Sequence, residues 1–269
     1  LTCKFYVLME HTTRELVQQA ANILQSRPYT VALAGAGMSK ESGIPTFRGS
    51  GGLWTENGEP PLDQYQQFQR DPKRWWEERS NNSLGDFAQK IDSAQPNPGH
   101  FALAKMEEMG ILRHLITQNI DDLHRRAGHQ SLTEIHGNRN WMRCISCGFR
   151  ISQRDFTYDP NILPVYCDED GCDGIIKSDT VMFGEPIPPL ALNSSSMHSD
   201  LSDVFLTIGT SALVYPAAAF PVEAIQRGKI LIEINPEPTQ LTEHATIAIG
   251  AESGQVLPLL VEMISELDE

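Results

Sequence analysis

The sequence predicts an α/β fold in which a parallel sheet is interrupted twice by other structure. Short apolar segments, such as residues 29–34 and 204–208, have the length and β-branched content of buried strands. Segments with helical spacing alternate with these strands, as in a series of strand–helix–strand units. Residues 50–97 and 138–185 fit neither pattern. We therefore predict two insertions, the first helical and the second carrying most of the cysteines.

The remaining elements follow from periodicity and from boundary residues. Apolar positions within residues 13–26 predict an amphipathic first helix. Met9 has the character of a natural start, so we expect residues 1–8 to be an upstream extension. In the first insertion, Pro72 predicts the start of a helix. Further strands are predicted over residues 111–116, 132–135, 230–234 and 246–249, and further helices over residues 98–109, 123–127, 190–199, 216–227 and 255–267. The sheet then contains about six strands.

Composition narrows the class of protein. The net charge of −14 argues against a nucleic-acid-binding surface. We expect no membrane-spanning segment and no secretory signal, because no apolar run has the required length or flanking residues. Four of the five cysteines form two close pairs, and a disulfide scaffold is not expected in a chain of 269 residues without a signal. These observations favour the reducing cytoplasm.

The glycine-rich stretch after the first strand predicts an anion-binding loop. Residues 35–37 read Gly-Ala-Gly, which allows backbone N–H groups to approach a phosphate. Ser39 is suited either to cap the next turn or to bind the ligand. A dinucleotide-binding fingerprint requires glycine where Lys40 stands, so the loop alone does not identify the ligand. Residues 45–48 add a rigid turn, an aromatic ring and a guanidinium group.

Polar residues also follow the second and third predicted strands. Gln118, Asn119 and Asp121 come after the second strand, and His136 comes after the third. In an open parallel sheet, these strand ends meet at the edge where ligands bind. Alternatively, Asn119 and Asp121 only cap the following helix, and His136 is a structural or surface residue.

Two later strands end in the same way. Gly209, Thr210 and Ser211 follow residues 204–208 and are suited to a phosphate or a ribose. After the next strand, Glu237 is suited to bind ribose hydroxyl groups. The alternative is that this part of the chain is an ordinary solvated loop.

The cysteine pairs predict a metal site. Cys144 and Cys147 have C-x2-C spacing, Cys167 and Cys172 have C-x4-C spacing, and 19 residues separate the pairs. Four thiolates in two knuckles suit tetrahedral zinc. Because no ligand position remains for water, we expect a structural ion. The alternatives are four unrelated cysteines or a redox pair.

Taken together, these stretches resemble the sirtuins, NAD-dependent protein lysine deacylases, of prokaryotic type. The matching segments are GAGMSKESGIPTFRG (35–49), TQNIDDLHRRAG (117–128), EIHG (134–137), the four cysteines, VMFGE (181–185), GTSALVYPAA (209–218) and NPE (235–237). They occur in order through nearly the whole chain.

The resemblance implies a Rossmann-like NAD-binding domain made of residues 9–49, 98–137 and 186–269. A smaller domain would contain a helical module, residues 50–97, and a zinc-binding module, residues 138–185. The residues implied to bind NAD are Gly35, Ala36, Gly37, Ser39, Thr46, Phe47, Arg48, Gln118, Asn119, Ile120, Asp121, Gly209, Thr210, Ser211, Asn235, Glu237 and Ser253. The acylated peptide is implied to add as a strand against Val181, Phe183, Gly184, Glu185, Val214 and Tyr215.

The resemblance also implies the chemistry. The acyl-lysine oxygen would attack C1′ of the nicotinamide ribose and expel nicotinamide, with Asn119 and Asp121 holding the reacting groups. His136 would accept a proton from the ribose hydroxyl group that attacks next. The products would be free lysine, nicotinamide and O-acetyl-ADP-ribose. The zinc ion would take no part.

One departure from the family concerns the acyl group. Sirtuins that prefer succinyl or malonyl groups carry a Tyr and an Arg three residues apart in the helix that follows Pro72. This chain has Arg79 and Asn82 at those positions, so we expect an uncharged acyl group such as acetyl. An acidic acyl group stays an alternative, because the Arg79 guanidinium could pair with its carboxylate. Two other functions stay open: a mono-ADP-ribosyltransferase, and a module that binds NAD as a sensor without catalysis.

Overall fold

The computed structural model describes residues 2–49, 51–81 and 86–267, and a six-stranded parallel sheet forms its centre. In spatial order the strands are β3 (Leu132–Glu134), β2 (Leu112–Thr117), β1 (Thr30–Ala34), β7 (Val204–Ile208), β8 (Ile230–Ile234) and β9 (Ile247–Ile249). The chain moves outward from β1 on one side and from β7 on the other. The carboxyl ends of β1 and β7 therefore form the switch point at which open α/β sheets bind ligands.

A second, antiparallel sheet belongs to the cysteine-containing insertion. It consists of β5 (Arg150–Ser152), β4 (Trp141–Cys144) and β6 (Ile176–Ser178), with β4 in the middle. The helices are α1 (Thr2–Ser26), α2 (Leu53–Asn57), α3 (Gln64–Arg70), α4 (Pro72–Asn81), α5 (Asp86–Ser93), α6 (Pro98–Glu108), α7 (Leu123–Arg126), α8 (Pro189–Leu201), α9 (Ala219–Gln226) and α10 (Ser253–Leu267), with 3-10 helices at Ala36–Ser42 and Thr242–His244. The predicted α/β fold with two insertions is confirmed.

The start of a helix differs from the sequence prediction by three residues or more at two places. The first helix begins at Thr2 instead of residue 13, in a stretch that contains neither glycine nor proline to stop it. Conversely, residues 216–218 form turns before α9 begins, because Ala218 N–H donates to Val214 and Ala219 N–H donates to Pro216. None of the helices in the described residues combines the length and apolar character needed to cross a membrane.

Alternate residues of β1 face the two cores of the large sheet. Ala32 and Ala34 pack in the core under α1, α6 and α10, whereas Val31 and Leu33 pack in the core under α8 and α9. Burial on both faces explains why this strand is apolar from Val31 to Ala34, with Thr30 at its start also buried. The same burial leaves only the strand ends for polar chemistry.

The two insertions pack against each other. Trp76 of α4 is fully buried and shares a core with Met142, Cys144 and Ile176. Its indole Nε1–H donates to the carbonyl oxygen of Ile176 at 3.0 Å, which satisfies the polar atom of an otherwise apolar side chain. The helical and cysteine-containing insertions therefore form one unit beside the parallel sheet.

Buried histidines predict that the fold weakens in acid. His124 lies in contact with the rings of His100 and His129, and neither of its ring nitrogens has a hydrogen-bond partner among the described residues. Burial lowers the pKa of His124 well below its usual 6.5. The folded state therefore holds it neutral, while the unfolded chain binds a proton below about pH 6.5.

We expect the free energy of unfolding to fall between pH 7 and pH 5, and to fall less in His124→Leu. The contribution of one such histidine is about 1.4 kcal/mol per pH unit below its unfolded pKa. Urea unfolding at the two pH values measures it. His244→Leu, at an exposed position, is the matched control. An equal loss in wild type and His124→Leu would contradict the prediction.

Candidate active site

Loops from four neighbouring strands meet at the carboxyl edge of the parallel sheet. The loop after β1 is joined to β7 by Gly35 N–H, which donates to the Ile208 carbonyl at 2.9 Å. The loop after β2 returns to β1 through Gln118 N–H, which donates to Ala34 at 2.9 Å. Ile135 N–H continues the ladder from β3 to Thr117 at 3.0 Å. The polar residues identified in the sequence are thereby brought to one edge.

The glycines of the first loop serve backbone packing. Gly37 N–H donates to the Gly209 carbonyl at 2.8 Å, and a Cβ atom on Gly37 would lie 2.7 Å from Gly209 Cα. Gly209 adopts φ +56°, a left-handed conformation that favours glycine. The sequence explained Gly35 and Gly37 by the approach of an anion. The structure adds a reason that only the tertiary fold reveals, which is contact with the loop after β7.

Asn119, Ser39 and Asp121 form a buried polar cluster. Asn119 Nδ2 donates to the Gly35 carbonyl at 3.0 Å and to Ser39 Oγ at 3.1 Å. Ser39 Oγ donates in turn to Asp121 Oδ2 at 2.6 Å. Asp121 Oδ1 also accepts from Leu123 N–H at 3.0 Å. Asp121 therefore binds the first N–H of α7, whose N-cap residue is Asp122, and joins the polar cluster as well.

The environment of Asp121 changes its acidity. Burial raises the pKa of the Asp121 carboxyl group, while hydrogen bonds from Ser39 and Leu123 act in the opposite direction. A carboxylate at this position is costly unless its oxygen atoms are hydrogen-bonded. The two donors are therefore part of what makes an acidic residue tolerable there.

His136 is held in one tautomer. Its Nδ1 lies 3.1 Å from the carbonyl oxygen of Gln118. Because a carbonyl oxygen only accepts, Nδ1 carries the proton and Nε2 keeps its lone pair. Burial lowers the pKa of His136 below 6.5, and the bond to Gln118 opposes this effect. A half-buried, neutral imidazole with a free Nε2 is suited to act as a general base.

The segment Val181 to Glu185 lies beside His136. Val181 N–H donates to the His136 carbonyl at 2.9 Å, and the Phe183 carbonyl accepts from Tyr65 N–H at 3.0 Å. The Glu185 side chain is 3% exposed and points into the cysteine-containing insertion. Tyr215, the other aromatic residue predicted to contact the peptide, is 67% exposed.

Phe47 and Arg48, which follow the glycine-rich loop, both contact Trp54. Phe47 packs against Trp54 at a centroid distance of 4.7 Å, and the Arg48 guanidinium lies 4.6 Å above the same indole. Trp54 was missed by sequence reasoning, although its place among the aromatic residues of the first insertion was a usable signal. Trp54 also contacts Phe183 at 5.5 Å, so the first loop and the segment beside His136 share an aromatic contact.

Other predicted residues take part in local bonds. Gln118 Nε2 donates to Thr210 Oγ1 at 2.8 Å, which joins the loops after β2 and β7. Asn235 Nδ2 donates to the Glu237 carbonyl at 2.9 Å, so these two residues form a turn. Ser253 begins α10, and its buried Oγ has no hydrogen-bond partner within the described ranges.

Four cysteines come together in the second insertion. Their sulfur atoms all lie within 4.8 Å of one another, and the Cys144–Cys172 and Cys147–Cys167 pairs are each 3.7 Å apart. Tetrahedral zinc with Zn–S bonds of about 2.3 Å has sulfur atoms about 3.8 Å apart. The cluster of four cysteines therefore has the chemistry and the sulfur–sulfur distances of a zinc site.

The Arg79 side chain is engaged by residues of both insertions. Its guanidinium lies 5.7 Å from the centre of the Trp75 ring, and Nη2 lies 3.8 Å from Met142 Sδ. Burial lowers the pKa of Arg79. Asn82, the other position of the acyl-group comparison, lies outside the described residues.

A parallel sheet with polar side chains at its switch point, joined to an insertion whose four cysteines have the spacing of a zinc site, is typical of a nucleotide-binding α/β protein. The family model of the Sir2 family matches residues 35–216. The chain belongs to the Sir2 family, and the sequence-based identification of a sirtuin is confirmed.

Its relatives include archaeal proteins. It is 40% identical to NAD-dependent protein deacylase 2 of Pyrobaculum aerophilum, over 91% of this chain and 94% of that protein. It is 40% identical to the NAD-dependent protein deacylase of Pyrococcus furiosus, over 94% of this chain and 100% of that protein. A Sir2 homologue variant in complex with ADP-ribose superimposes with a TM-score of 0.77 at 37% identity, over 93% of this chain and 96% of that one.

Glycine substitutions test the contact between the loops after β1 and β7. Gly209→Ala places a Cβ atom 2.5 Å from Met38 N, whereas Gly228→Ala, also at positive φ, meets open space. Both variants carry the left-handed strain of about 1–2 kcal/mol.

We expect Gly209→Ala to lower the free energy of unfolding by at least about 1 kcal/mol more than Gly228→Ala. Only the alanine side chain at position 209 overlaps with neighbouring backbone atoms. Urea unfolding measures the difference. Equal losses would show that the two loops are not in close contact.

Proposed function

We propose that this protein is an NAD-dependent protein lysine deacetylase that releases nicotinamide and O-acetyl-ADP-ribose. The observation that carries the proposal is His136, whose Nδ1 is fixed by Gln118 and whose backbone carbonyl binds Val181. A general base and an edge for a peptide strand are thus joined at the switch point of a nucleotide-binding sheet. The deacylase names of the relatives and the ADP-ribose complex of a Sir2 homologue support it.

We place NAD along the carboxyl edge of the parallel sheet, with its pyrophosphate at the loop that contains Ala36, Gly37 and Ser39. The adenosine side would lie toward Ser211, Glu237 and Ser253, where a buried hydroxyl group lacks a protein partner among the described residues. The nicotinamide ribose would lie between the rim residues Thr46, Phe47 and Arg48 and the β2 loop, with Ile120 beside it. The NAD-binding domain would consist of residues 9–49, 98–137 and 186–269.

The chemistry follows from the position of His136. Bound NAD supplies the ribose carbon from which nicotinamide leaves when the acyl-lysine oxygen attacks. His136 accepts a proton at Nε2 from the ribose hydroxyl group, while the Gln118 carbonyl orients the ring through Nδ1. Asn119 is fixed by Gly35 and Ser39, and Asp121 by Ser39 and Leu123. Their polar groups are therefore preorganised for the ribose and the carboxamide.

The peptide would add as a strand between residues 181–185 and the segment that contains Val214 and Tyr215. A deacetylated p53 peptide occupies a Sir2 structure that is 29% identical to this chain over 91% of its length, with a TM-score of 0.74. The substrates we propose are therefore acetylated lysine side chains in proteins. We propose no role in specific nucleic-acid binding.

We propose one structural zinc ion at Cys144, Cys147, Cys167 and Cys172. The sulfur positions fit a closed tetrahedral site, and such a site holds together a small sheet whose own core is limited. Residues 138–185 would be the zinc-binding module and residues 50–97 the helical module. Thiolate ligands are compatible with a reducing compartment, and we propose the cytoplasm.

Substitution of His136 tests the catalytic proposal. With NAD and an acetyl-lysine peptide, wild type is expected to release nicotinamide, and His136→Ala to lose about 100-fold to 10,000-fold of this rate. Chromatography of labelled NAD products gives the readout, and exposed His244→Ala is the control. Label on O-acetyl-ADP-ribose supports deacetylation. Label retained on protein would indicate a mono-ADP-ribosyltransferase, and NAD binding without turnover would indicate a sensor.

The pH dependence should follow His136. Because burial lowers its pKa and the base must be unprotonated, we expect kcat/KM to be maintained at pH 7. In acid, kcat/KM should fall with an apparent pKa below 6.5. Below that pKa it should decrease about tenfold for each pH unit. Initial rates between pH 5 and pH 9 measure this limb. An acid limb centred above pH 6.5 would contradict the assignment.

The acyl preference is tested with a panel of peptides. Since the Arg79 guanidinium is engaged with Trp75 and Met142, we propose that it does not select an acidic acyl group. We expect kcat/KM to be at least about tenfold higher for acetyl-lysine than for succinyl-lysine, a difference of about 1.4 kcal/mol. Arg79→Gln should not change this ratio. A succinyl preference that disappears in Arg79→Gln would overturn the proposal.

A further inference from the structure

Glu185 belongs to the segment beside His136, but its carboxylate is bound by the zinc-module sheet. Oε1 accepts from Arg143 Nη2 at 2.7 Å, and Oε2 lies 2.9 Å from Lys177 Nζ. Oε2 also accepts from the backbone N–H of Met182 at 2.9 Å. With 3% of the side chain exposed, the carboxylate is not available to a substrate. The resemblance implied that a peptide strand adds to this segment, and the side chain of Glu185 connects that segment to β4 and β6.

The two cations meet at Glu185 because of the strand register. Arg143 on β4 and Lys177 on β6 are directly opposite each other in the antiparallel pair. Like charges in this arrangement are destabilising on their own, and Lys177 is fully buried. The carboxylate of Glu185 pairs with both cations, and Asp179 supplies a second negative charge beside Arg143. Lys177 completes its hydrogen bonding by donating to the carbonyl groups of Ser178 and Thr180 at 2.9 and 2.8 Å.

A second carboxylate extends the network toward His136. Asp179 accepts from Arg143 Nε at 3.0 Å and from Arg150 Nη2 at 2.7 Å. Asp179 also accepts from the backbone N–H of Asn138, two residues after His136, at 3.0 Å. The segment from Val181 to Glu185 is therefore fixed at both ends: Val181 binds the His136 carbonyl, and Glu185 binds Arg143 and Lys177.

We propose that Glu185, Arg143 and Lys177 form a positioning unit that sets the substrate-binding segment at its working distance from His136. This inference rests on the proposed deacetylase function. The three residues do not touch the reacting atoms. They act by holding the backbone of residues 181–185, so that a peptide strand paired to it presents its acyl-lysine to the base. A strand template that is held by buried ion pairs loses little conformational entropy when the peptide binds.

The test replaces the carboxylate by its amide. Glu185→Gln keeps the size of the side chain but directs an NH2 group at one of three donors, so the bonds cannot all form. We expect KM for an acetyl-lysine peptide to rise at least tenfold, kcat to change less than KM, and the dissociation constant for NAD to stay within twofold. Asp155→Asn, an exposed carboxylate of the same module, is the matched control and should leave all three quantities unchanged.

A second variant and a second measurement distinguish loss of positioning from misfolding. Arg143→Lys keeps the charge but cannot reach Asp179 and Glu185 at the same time, and a raised peptide KM is expected there too. Amide hydrogen exchange in the free proteins should be faster at residues 181–185 in both variants, with the parallel sheet unchanged.

An unchanged exchange rate in residues 181–185, or an unchanged peptide KM, would overturn the positioning unit. So would equal losses of NAD and peptide binding. If wild type fails to deacetylate any acetyl-lysine peptide, the proposed function itself is wrong, and the inference falls with it.

Discussion

The contact between the loops after β1 and β7 is the constraint on which the candidate site depends. Gly37 N–H and the Gly209 carbonyl meet at 2.8 Å, in a space that a Cβ atom on either residue would fill. This contact directs the chain after β1 into a 3-10 helix, which brings Ser39 to Asp121 at 2.6 Å. Asn119 then bridges Ser39 and the Gly35 carbonyl. One backbone contact thus sets the place of three polar side chains.

The unit formed by the two insertions is organised by a different principle. Its core combines aromatic, aliphatic and sulfur-containing side chains supplied by both insertions, with the fully buried Trp76 coming from the helical one. A cluster of this size stabilises a sheet of three short strands only in part, and a metal ion at the cysteine group would supply the rest. The large sheet, which is buried on both faces, needs no such help.

Much of this organisation was predictable from the sequence, and the parts that were not have a common cause. The strands, most helices, the two insertions and the cysteine group followed from local patterns and spacing. The orientation of the Glu185 side chain did not, because its partners Arg143 and Lys177 become neighbours only through the register of β4 and β6. Likewise, the reason for glycine at position 37 lies in Gly209, which is remote in sequence. The early start of α1 shows the opposite limit, since amphipathic spacing does not mark where a helix without a stop signal begins.

The buried ion pairs of the cysteine-containing insertion limit which parts of its sequence can be exchanged in evolution. Arg143 lies on β4, whereas Lys177, Asp179 and Glu185 lie within residues 177–185, yet each satisfies a charge carried by another. A chimaera that joined part of residues 138–185 to a sequence lacking the matching charges would leave a buried ion without its counterion, which is far more harmful than replacing the whole group. We therefore expect residues 138–185 to be exchanged as a single block that includes Glu185. Substitutions in this block should accumulate mainly at positions other than these charged residues.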